Sequence, residues 1–499
     1  MLSTIEGVLD VQSRKGPMDV EFRGATADSR HAGPGILFAA IPGAVFDGHQ
    51  FIDAAFAAGA PAVLLRDWPE DDRWPGDRVG LQVRDPRRAL ALSAHLLEGE
   101  PTATLRTVGV TGTNGKTSTV AILRPILEAA GISSGSLGTT GIEWTESGHN
   151  VHHQATHTTP EGPQLFSWLA RMRDAGVQAV AMELSSHALE QGRAAGLQLD
   201  VAAWTNLSRD HLDFHGSMEA YEAAKALLFK EWLARWGKKG CTAVVNQDDP
   251  AVVRHAADHE KTLTFSCVVG SGADVVPVET PQFSIDGCTA KIATPAGLLS
   301  LRTRLLGPHN LANSLTAVAC AVALGVDLKS VEVGLTAARG APGRLERVHG
   351  PPGTPRVLVD YAHSPEALTE VVGSLKPLVA GRLITVFGCG GDRDAGKRPL
   401  MARAASASDF VVLTSDNPRT EDPEAILDDA EAGLVGSNTP YAREADRAAA
   451  IARAIDEAKP NDVVLLAGKG HERYQEVAGE RLEFDDRRVA AAVLDALSR

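Results

Sequence analysis

The run Leu105-Arg106-Thr107-Val108-Gly109-Val110 leads straight into Thr111-Gly112-Thr113-Asn114-Gly115-Lys116-Thr117-Ser118, and a helical pattern follows over 117–130. Strand, glycine loop and helix in that order make a phosphate cradle, because glycines let backbone N–H groups approach phosphate oxygens at a helix N-terminus. Lys116 adds a point charge at the β/γ end, and the Thr117 hydroxyl can sit on Mg²⁺. Gly112, Thr113, Asn114, Gly115, Lys116, Thr117 and Ser118 are therefore candidate contacts to a nucleoside triphosphate. The strict pattern places its first glycine five residues before Gly115, where this chain has Val110, with Gly109 and Gly112 on either side. The alternative is a glycine-rich turn with a solvated lysine.

At 499 residues the chain exceeds one ordinary core and suggests about three units. A polar stretch over 98–104 sets the first boundary near residue 101, after a small α/β unit. Residues 102–342 carry β-α alternation, with strands over 105–111, 177–184 and 201–207, which implies a mainly parallel sheet covered by helices. A Gly/Pro-rich break follows at 340–355. Beyond it VLVDYA, LITVFGCGG, DFVVLTSD and DVVLLAGKG end in or next to Gly or Asp, the pattern of a doubly wound sheet with ligand contacts at the carboxyl ends of its strands. The expected fold class is α/β with three domains: 1–101, a central P-loop-type parallel-sheet ATPase domain over 102–342, and a Rossmann-like, doubly wound domain over 343–499.

The net charge of −14, without a Lys/Arg stripe, argues against nucleic-acid binding. No apolar run is long enough to span a bilayer, and the first 16 residues lack the basic-then-apolar layout of a secretory signal, so a cytoplasmic monomer is expected. The five cysteines are scattered and form no C-x-x-C pair, which indicates neither a disulfide framework nor a zinc site; they are expected to be buried thiols.

Glu183 closes a strand, where an acid can ligate the metal bound to ATP. Asn206-Leu207-Ser208-Arg209-Asp210-His211-Leu212-Asp213-Phe214-His215-Gly216 crowds Arg209, Asp210, His211, Asp213 and His215 together just after a strand; a polar self-capping loop is the alternative. T-G-T-N-G-K-T resembles the ATP loop of the Mur ligases and of their relatives that extend folate with glutamate. N-L-x-x-D-H-L-D-x-H-G-x-x-x-x-Y-x-x-A-K resembles the Mur ligase signature whose lysine, here Lys225, is converted by CO₂ to a carbamate (N6-carboxylysine). The resemblance implies metal ligation by Thr117, Glu183, His211 and carbamylated Lys225, with Lys116, Glu183, His211 and Lys225 in catalytic roles. Carbamylation needs a neutral amine, so neighbours are expected to depress the Lys225 pKa.

Asn310 and Asn313 lie one helical turn apart, where side-chain amides can read an adenine edge; capping by Asn310 is the alternative. H-N-x-x-N resembles the same family, as does P-G-R-L-E-R, which brings Arg344 into the ATP set. Asp360 ends a strand and suits a ribose hydroxyl. ATP then bridges two domains whose closure assembles the site.

The resemblance further implies a UDP-muramoyl dipeptide, UDP-MurNAc-L-Ala-D-Glu, held by Ser29 and the 43–48 turn in the first domain and by Thr158, Thr159, Ser185, Gln191 and Arg193 in the second. Thr158 and Thr159 also read as a helix cap before Pro160. In the third domain Arg393, Asp416, Asn417, Pro418, Arg419, Gly468 and Glu472 fall at strand ends. Together they offer cations for carboxylates and an acid for an ammonium, as meso-diaminopimelate requires. D-N-P-R resembles the diaminopimelate-adding members, with Arg419 as the specificity residue and a surface ion pair as its alternative role.

These features imply ATP-dependent phosphorylation of the D-Glu γ-carboxylate and attack of the amine on the acyl phosphate, with Mg²⁺ and Lys116 offsetting phosphoryl charge. A lysine-adding relative, a folate-glutamate ligase and a non-ligase P-loop ATPase are the rival readings.

Overall fold

The computed structural model describes residues 5–17, 20–43, 46–69, 74–256 and 259–497. The chain divides into two compact units, one of Met1–Val278, Ile292–Leu299 and Ala312–Leu335, the other of Glu279–Lys291, Ser300–Leu311 and Thr336–Arg499.

The first unit opens with a five-stranded sheet of β1 (Val11–Lys15), β2 (Gly24–Thr26), β3 (Ile36–Ala39), β4 (Ala62–Leu65) and β5 (Val79–Val83), in the order β1-β5-β4-β3-β2. Only β1 is antiparallel to its neighbour. Side chains alternate across the sheet, so Leu37, Leu64 and Leu81 pack on one face while Phe38, Val63 and Leu65 pack on the other. Helix Pro86–Leu97 begins at Asp85, whose side chain accepts from the N–H groups of Arg87 and Arg88, with proline in the first turn.

An eight-stranded sheet follows: β6 (Arg106–Thr111), β7 (Ser134–Gly138), β8 (Gly141–Glu146), β9 (His149–His153), β10 (Ala179–Glu183), β11 (Val201–Trp204), β12 (Thr242–Asn246) and β13 (Thr262–Phe265). Its order is β13-β12-β11-β6-β10-β7-β8-β9, parallel except for the β7-β8-β9 meander. The strand order reverses around β6, which lies between β10 and β11, making a switch point for ligands at its carboxyl end. Helix Met218–Leu227 continues through a π-helical turn, Leu228–Leu233, into Ala234–Trp236. Four short strands, β14 (Val276–Pro277), β15 (Gln282–Ser284), β16 (Gly287–Thr294) and β17 (Gly297–Thr303), lie where the chain passes between the units.

The second unit carries β18 (Glu346–Val348), β19 (Arg356–Asp360), β20 (Leu383–Cys389), β21 (Phe410–Ser415), β22 (Tyr441–Arg443) and β23 (Val463–Ala467) in the order β18-β19-β23-β20-β21-β22, with only β18 antiparallel. Leu358, Phe387, Leu413 and Leu465 fill one layer, and Val357, Val386, Val412 and Val464 the other. A hairpin of β24 (Tyr474–Val477) and β25 (Glu480–Glu483) follows. Arg447 and Asp486, fully buried, form an ion pair at 2.7 Å between two helices.

The α/β class and the parallel central sheet agree with the sequence reading. The strands anticipated over 177–184 and 201–207 are shorter, at Ala179–Glu183 and Val201–Trp204, because the following residues turn into loops. The cysteines are free, but Cys241 and Cys267 are half-buried rather than buried. No described helix is long and apolar enough to cross a membrane.

His95 is 4% exposed, with Nε2 2.8 Å from Thr102 Oγ1 and its ring 4.7 Å from that of Phe166. Burial holds its pKa down to about 4 from 6.5. The unfolded chain therefore binds the extra proton between these values, and the stability contribution, complete above pH 6.5, is lost as pH falls through 4. The loss amounts to about 3 kcal/mol at most. His95→Gln is expected to flatten this acid-side fall of the thermal midpoint, and equal slopes in both proteins would remove His95 as its source.

Candidate active site

The phosphate loop leaves β6 where the carboxyl ends of β10 and β11 flank it. Gly115 has φ 88°, and a Cβ built on it would lie 2.3 Å from Asn313 Oδ1, so a glycine is required there and Asn313 lies against the loop. The Asn114 N–H donates to Asn206 Oδ1 at 2.9 Å, and the Asn114 carbonyl accepts from Asn206 Nδ2 at 3.1 Å and Thr205 Oγ1 at 2.5 Å. Ser208 N donates to Thr113 Oγ1 at 2.9 Å. The segment after β11 thus clamps the loop and already engages one N–H assigned to phosphate. Lys116 Nζ donates to the carbonyls of Gly112 at 2.7 Å and Thr113 at 2.9 Å.

Lys225 reaches the same carbonyl from helix Met218–Leu227. It is 1% exposed, its Nζ donates to Gly112 O at 2.8 Å and lies 4.6 Å from the Tyr221 ring centroid, and the Tyr221 hydroxyl donates to Thr113 Oγ1 at 3.2 Å. Burial, then the charge of Lys116, push the Lys225 amine well below its ordinary pKa, against the pull of Asp210. The side chain is not a solvated lysine, and burial outweighs the neighbours in depressing its pKa.

Glu183 ends β10 and is 1% exposed. Its Oε2 accepts from Thr117 Oγ1 at 2.9 Å and Thr139 Oγ1 at 3.3 Å, and its Oε1 accepts from Thr139 N at 2.8 Å. Burial raises its pKa, while Lys116 and these hydrogen bonds lower it. Gly138 makes room, since a Cβ there would lie 2.1 Å from Oε1. Thr139 Oγ1 is in turn 3.1 Å from Thr158 Oγ1, so a hydrogen-bonded chain runs Thr117–Glu183–Thr139–Thr158. Sequence reasoning passed over Thr139 and gave Asn206 no role beyond opening its motif; each stands just past the carboxyl end of a parallel strand, which was the available signal.

Thr159 Oγ1 donates to the Glu183 carbonyl at 2.8 Å and accepts from Ser185 N at 3.0 Å. Neither Thr158 nor Thr159 caps a helix: the next one, Gly162–Asp174, has Glu161 at its N-cap. Ser185 caps helix Ser186–Glu190 through Ala188 N. Arg193 donates to Thr159 O at 3.2 Å and Gln191 Oε1 at 2.9 Å, and lies 3.1 Å from Glu161. Thr158, Thr159, Ser185, Gln191 and Arg193 therefore form one patch.

Gln191 also lines a cleft of about 800 Å³ with Arg66, Arg84, Arg87, Arg88 and Arg235, which outnumber the acids Asp10, Asp85 and Glu231 there; Arg88 pairs with Glu231. The sequence reading missed these arginines because only the fold gathers them. Ser29 is not part of that lining; it sits half-buried in the turn Ser29–His31, beside an Asp28 carboxyl that hydrogen bonds from Arg30 hold down to about 2. Ala44 and Val45 of the 43–48 turn lie outside the described residues.

His211 has φ 52° and a side chain 46% exposed, 3.5 Å from Asp210. Among the described residues no hydrogen bond joins it to Thr117 or Glu183. Asp210 and Asp213 are exposed, whereas His215 is buried against Ser186, at 3.0 Å, and Glu190, at 3.0 Å. Thr117 and Glu183 converge as hard oxygen donors, which fits Mg²⁺ shared with phosphate oxygens. Among the described residues no three His, Cys, Asp or Glu side chains gather as a metal site.

In the second unit, Asn310 is buried and its Nδ2 donates to Leu306 O at 2.8 Å. Asp360, 5% exposed, accepts from Leu345 N and Ala362 N, both at 2.8 Å, and the Arg344 guanidinium lies 5.0 Å from the Tyr361 ring centroid. Burial raises the Asp360 pKa against the pull of Arg344. At the other strand ends Asp416 and Asn417 are buried, and Asn417 Nδ2 donates to Glu472 Oε2 at 3.1 Å. Gly468 adjoins them, 3.0 Å from Asp416 Oδ2 to a Cβ built on it. Burial raises the Glu472 pKa. Arg419, after Pro418, is half-buried; its Nη1 donates to Gly391 O at 2.6 Å, and its Nε lies 3.6 Å from Glu476. The ion pair named as its alternative role is thus present, with Glu476, on a half-buried side chain, whereas Arg393 is exposed.

Residues 21–96 match the Mur ligase family catalytic domain, 110–321 the Mur ligase middle domain, and 343–470 the Mur ligase glutamate ligase domain. The chain is 43% identical over 478 residues to the UDP-N-acetylmuramoyl-L-alanyl-D-glutamate--2,6-diaminopimelate ligase of Gloeobacter violaceus, covering 95% of this chain and 94% of that protein. It is 44% identical over 491 residues to the protein of the same name from Synechococcus elongatus, covering 97% and 96%. A solved structure of a ligase of that name has a TM-score of 0.74 at 34% identity, covering 97% of this chain and 98% of the other. With three domains matched in order and relatives aligned almost end to end, the chain belongs to the Mur ligase family.

Proposed function

We propose that this chain joins meso-2,6-diaminopimelate to the D-glutamate of UDP-N-acetylmuramoyl-L-alanyl-D-glutamate, with cleavage of ATP to ADP and phosphate, during peptidoglycan precursor synthesis in the cytoplasm. The observation that carries this reading is the Thr117–Glu183–Thr139–Thr158 chain, which ties a nucleotide loop to the patch assigned to the dipeptide. The name borne by the relatives supports the substrate assignment.

In this reading Gly112 to Ser118 hold the triphosphate, and Asn310, Asn313, Arg344 and Asp360 complete the nucleotide contacts. Thr158, Thr159, Ser185, Gln191 and Arg193 hold the dipeptide, with Ser29 and the arginine-lined cleft taking the anionic nucleotide end. Lys116 offsets charge as the γ-phosphoryl group moves to the D-Glu carboxylate. The substrate amine then attacks the acyl phosphate, the new C–N bond replaces the C–O bond to phosphate, and phosphate leaves with the bonding pair. Mg²⁺ on Thr117 and Glu183, with carbamylated Lys225 and His211 at a second ion, would supply further charge stabilisation. Burial lowers the Lys225 pKa, which favours the neutral amine that combines with CO₂. Arg393, Asp416, Asn417, Pro418, Arg419, Gly468 and Glu472 receive the diamino acid.

Incubation with ATP, the dipeptide nucleotide and diaminopimelate is expected to yield ADP and the tripeptide nucleotide; product with lysine alone, or only from folate and glutamate, would reassign the chain. Lys225→Ala is expected to lower kcat by about a hundredfold or more. Added short carboxylic acids should restore part of the rate, and wild-type protein under ¹³CO₂ should show a carbamate carbon signal. Absence of both effects would leave Lys225 unmodified. Arg419→Ala is expected to raise the KM for diaminopimelate about 10- to 100-fold, the loss of one charge-assisted contact. An unchanged KM would take Arg419 out of the specificity role.

A further inference from the structure

We infer that Lys469 is a positioning residue for the incoming diamino acid, acting through Asn417, Asp416 and Glu472; this deepens the function proposed above and rests on it. Lys469 follows Gly468 at the end of β23, and its side chain is fully buried. Nζ donates to Asn417 Oδ1 at 2.8 Å and to Tyr474 O at 2.9 Å, and it lies 3.1 Å from Asp416 Oδ1 and 3.8 Å from Glu472 Oε2.

These contacts orient the amide. Asn417 Oδ1 accepts from Lys469 Nζ and, at 3.0 Å, from Glu476 N, which leaves Nδ2 to face Glu472 Oε2. The same side chain sets a count of cations. Asp416 and Glu472 share this one lysine, which leaves a substrate ammonium as the second cation for two acids. The buried Arg447–Asp486 pair nearby is neutral as a whole; its Nη2 donates to Ala467 O and steadies the strand end without changing that count. Replacing the lysine alone leaves Asp416 and Glu472 without this cation, which destabilises the fold, so stability has to be read beside substrate affinity. Placement against three groups assigned to the substrate is better accounted for by recognition.

The test compares wild type, Lys469→Met and Lys469→Arg as full chains, reading kcat, the KM values for diaminopimelate and ATP, ADP affinity and the thermal midpoint. Lys469→Met is expected to raise the KM for diaminopimelate about tenfold or more, or about 1.4 kcal/mol, with ADP affinity and the KM for ATP within about twofold. Lys469→Arg should recover part of that loss. If Lys469→Met does not fold, a selective KM rise in Lys469→Arg carries the result. The inference is overturned if folded variants leave the diaminopimelate KM unchanged, if both KM values shift alike, or if neither variant folds. A wild-type chain that forms no product with diaminopimelate would instead sink the functional reading itself.

Discussion

Two lysines from different helices converge on one carbonyl, that of Gly112, and the chemistry proposed for this chain depends on that meeting. Lys116, half-buried, and Lys225, buried, both donate to it, at 2.7 and 2.8 Å. Two ammonium groups so close disfavour one another, and the buried one bears the larger cost. Burial, then the charge of Lys116, hold the Lys225 amine well below its ordinary pKa, which favours the form proposed to combine with CO₂.

The acid side of the same loop obeys comparable logic. Glu183 is buried, which favours its neutral form, yet Thr117, Thr139 and Lys116 all favour the carboxylate. Its environment is supplied by residues just past parallel strand ends, so sheet order determines which groups face it. In the second unit β19, β20, β21 and β23 likewise bring their carboxyl ends to one edge, and the acid, amide and arginine groups gather there.

Much of this was legible in the chain itself. The β6-loop-helix unit was readable because phosphate cradles demand a local order of residue types, and β19, β20, β21 and β23 because buried parallel strands read as unbroken apolar runs. Glu183 was marked by its place at the end of a strand, whereas Lys225 was readable only through a family resemblance, since a lysine on a helix carries no mark of burial. What stayed hidden depends on contacts distant in sequence: Thr139 on Glu183, Asn206 on Asn114, and the arginines around Gln191. The cap proposed for Thr158 and Thr159 failed because Thr159 turns back onto the Glu183 carbonyl, a tertiary bond that local pattern does not encode.

The π-helical turn after Leu227 has a consequence for how the fold is built. Residues along an α-helix advance by about 100° each, so one strict spiral would lock the direction of Lys225 to that of every apolar residue beyond it. The wider turn over Leu228–Leu233 resets the phase, and Trp232 and Leu233 dock in the core while Tyr221 and Lys225 still point at the glycine loop. Aim and anchorage thus stand at an angle to one another that a continuous α-helix of the same length would not give.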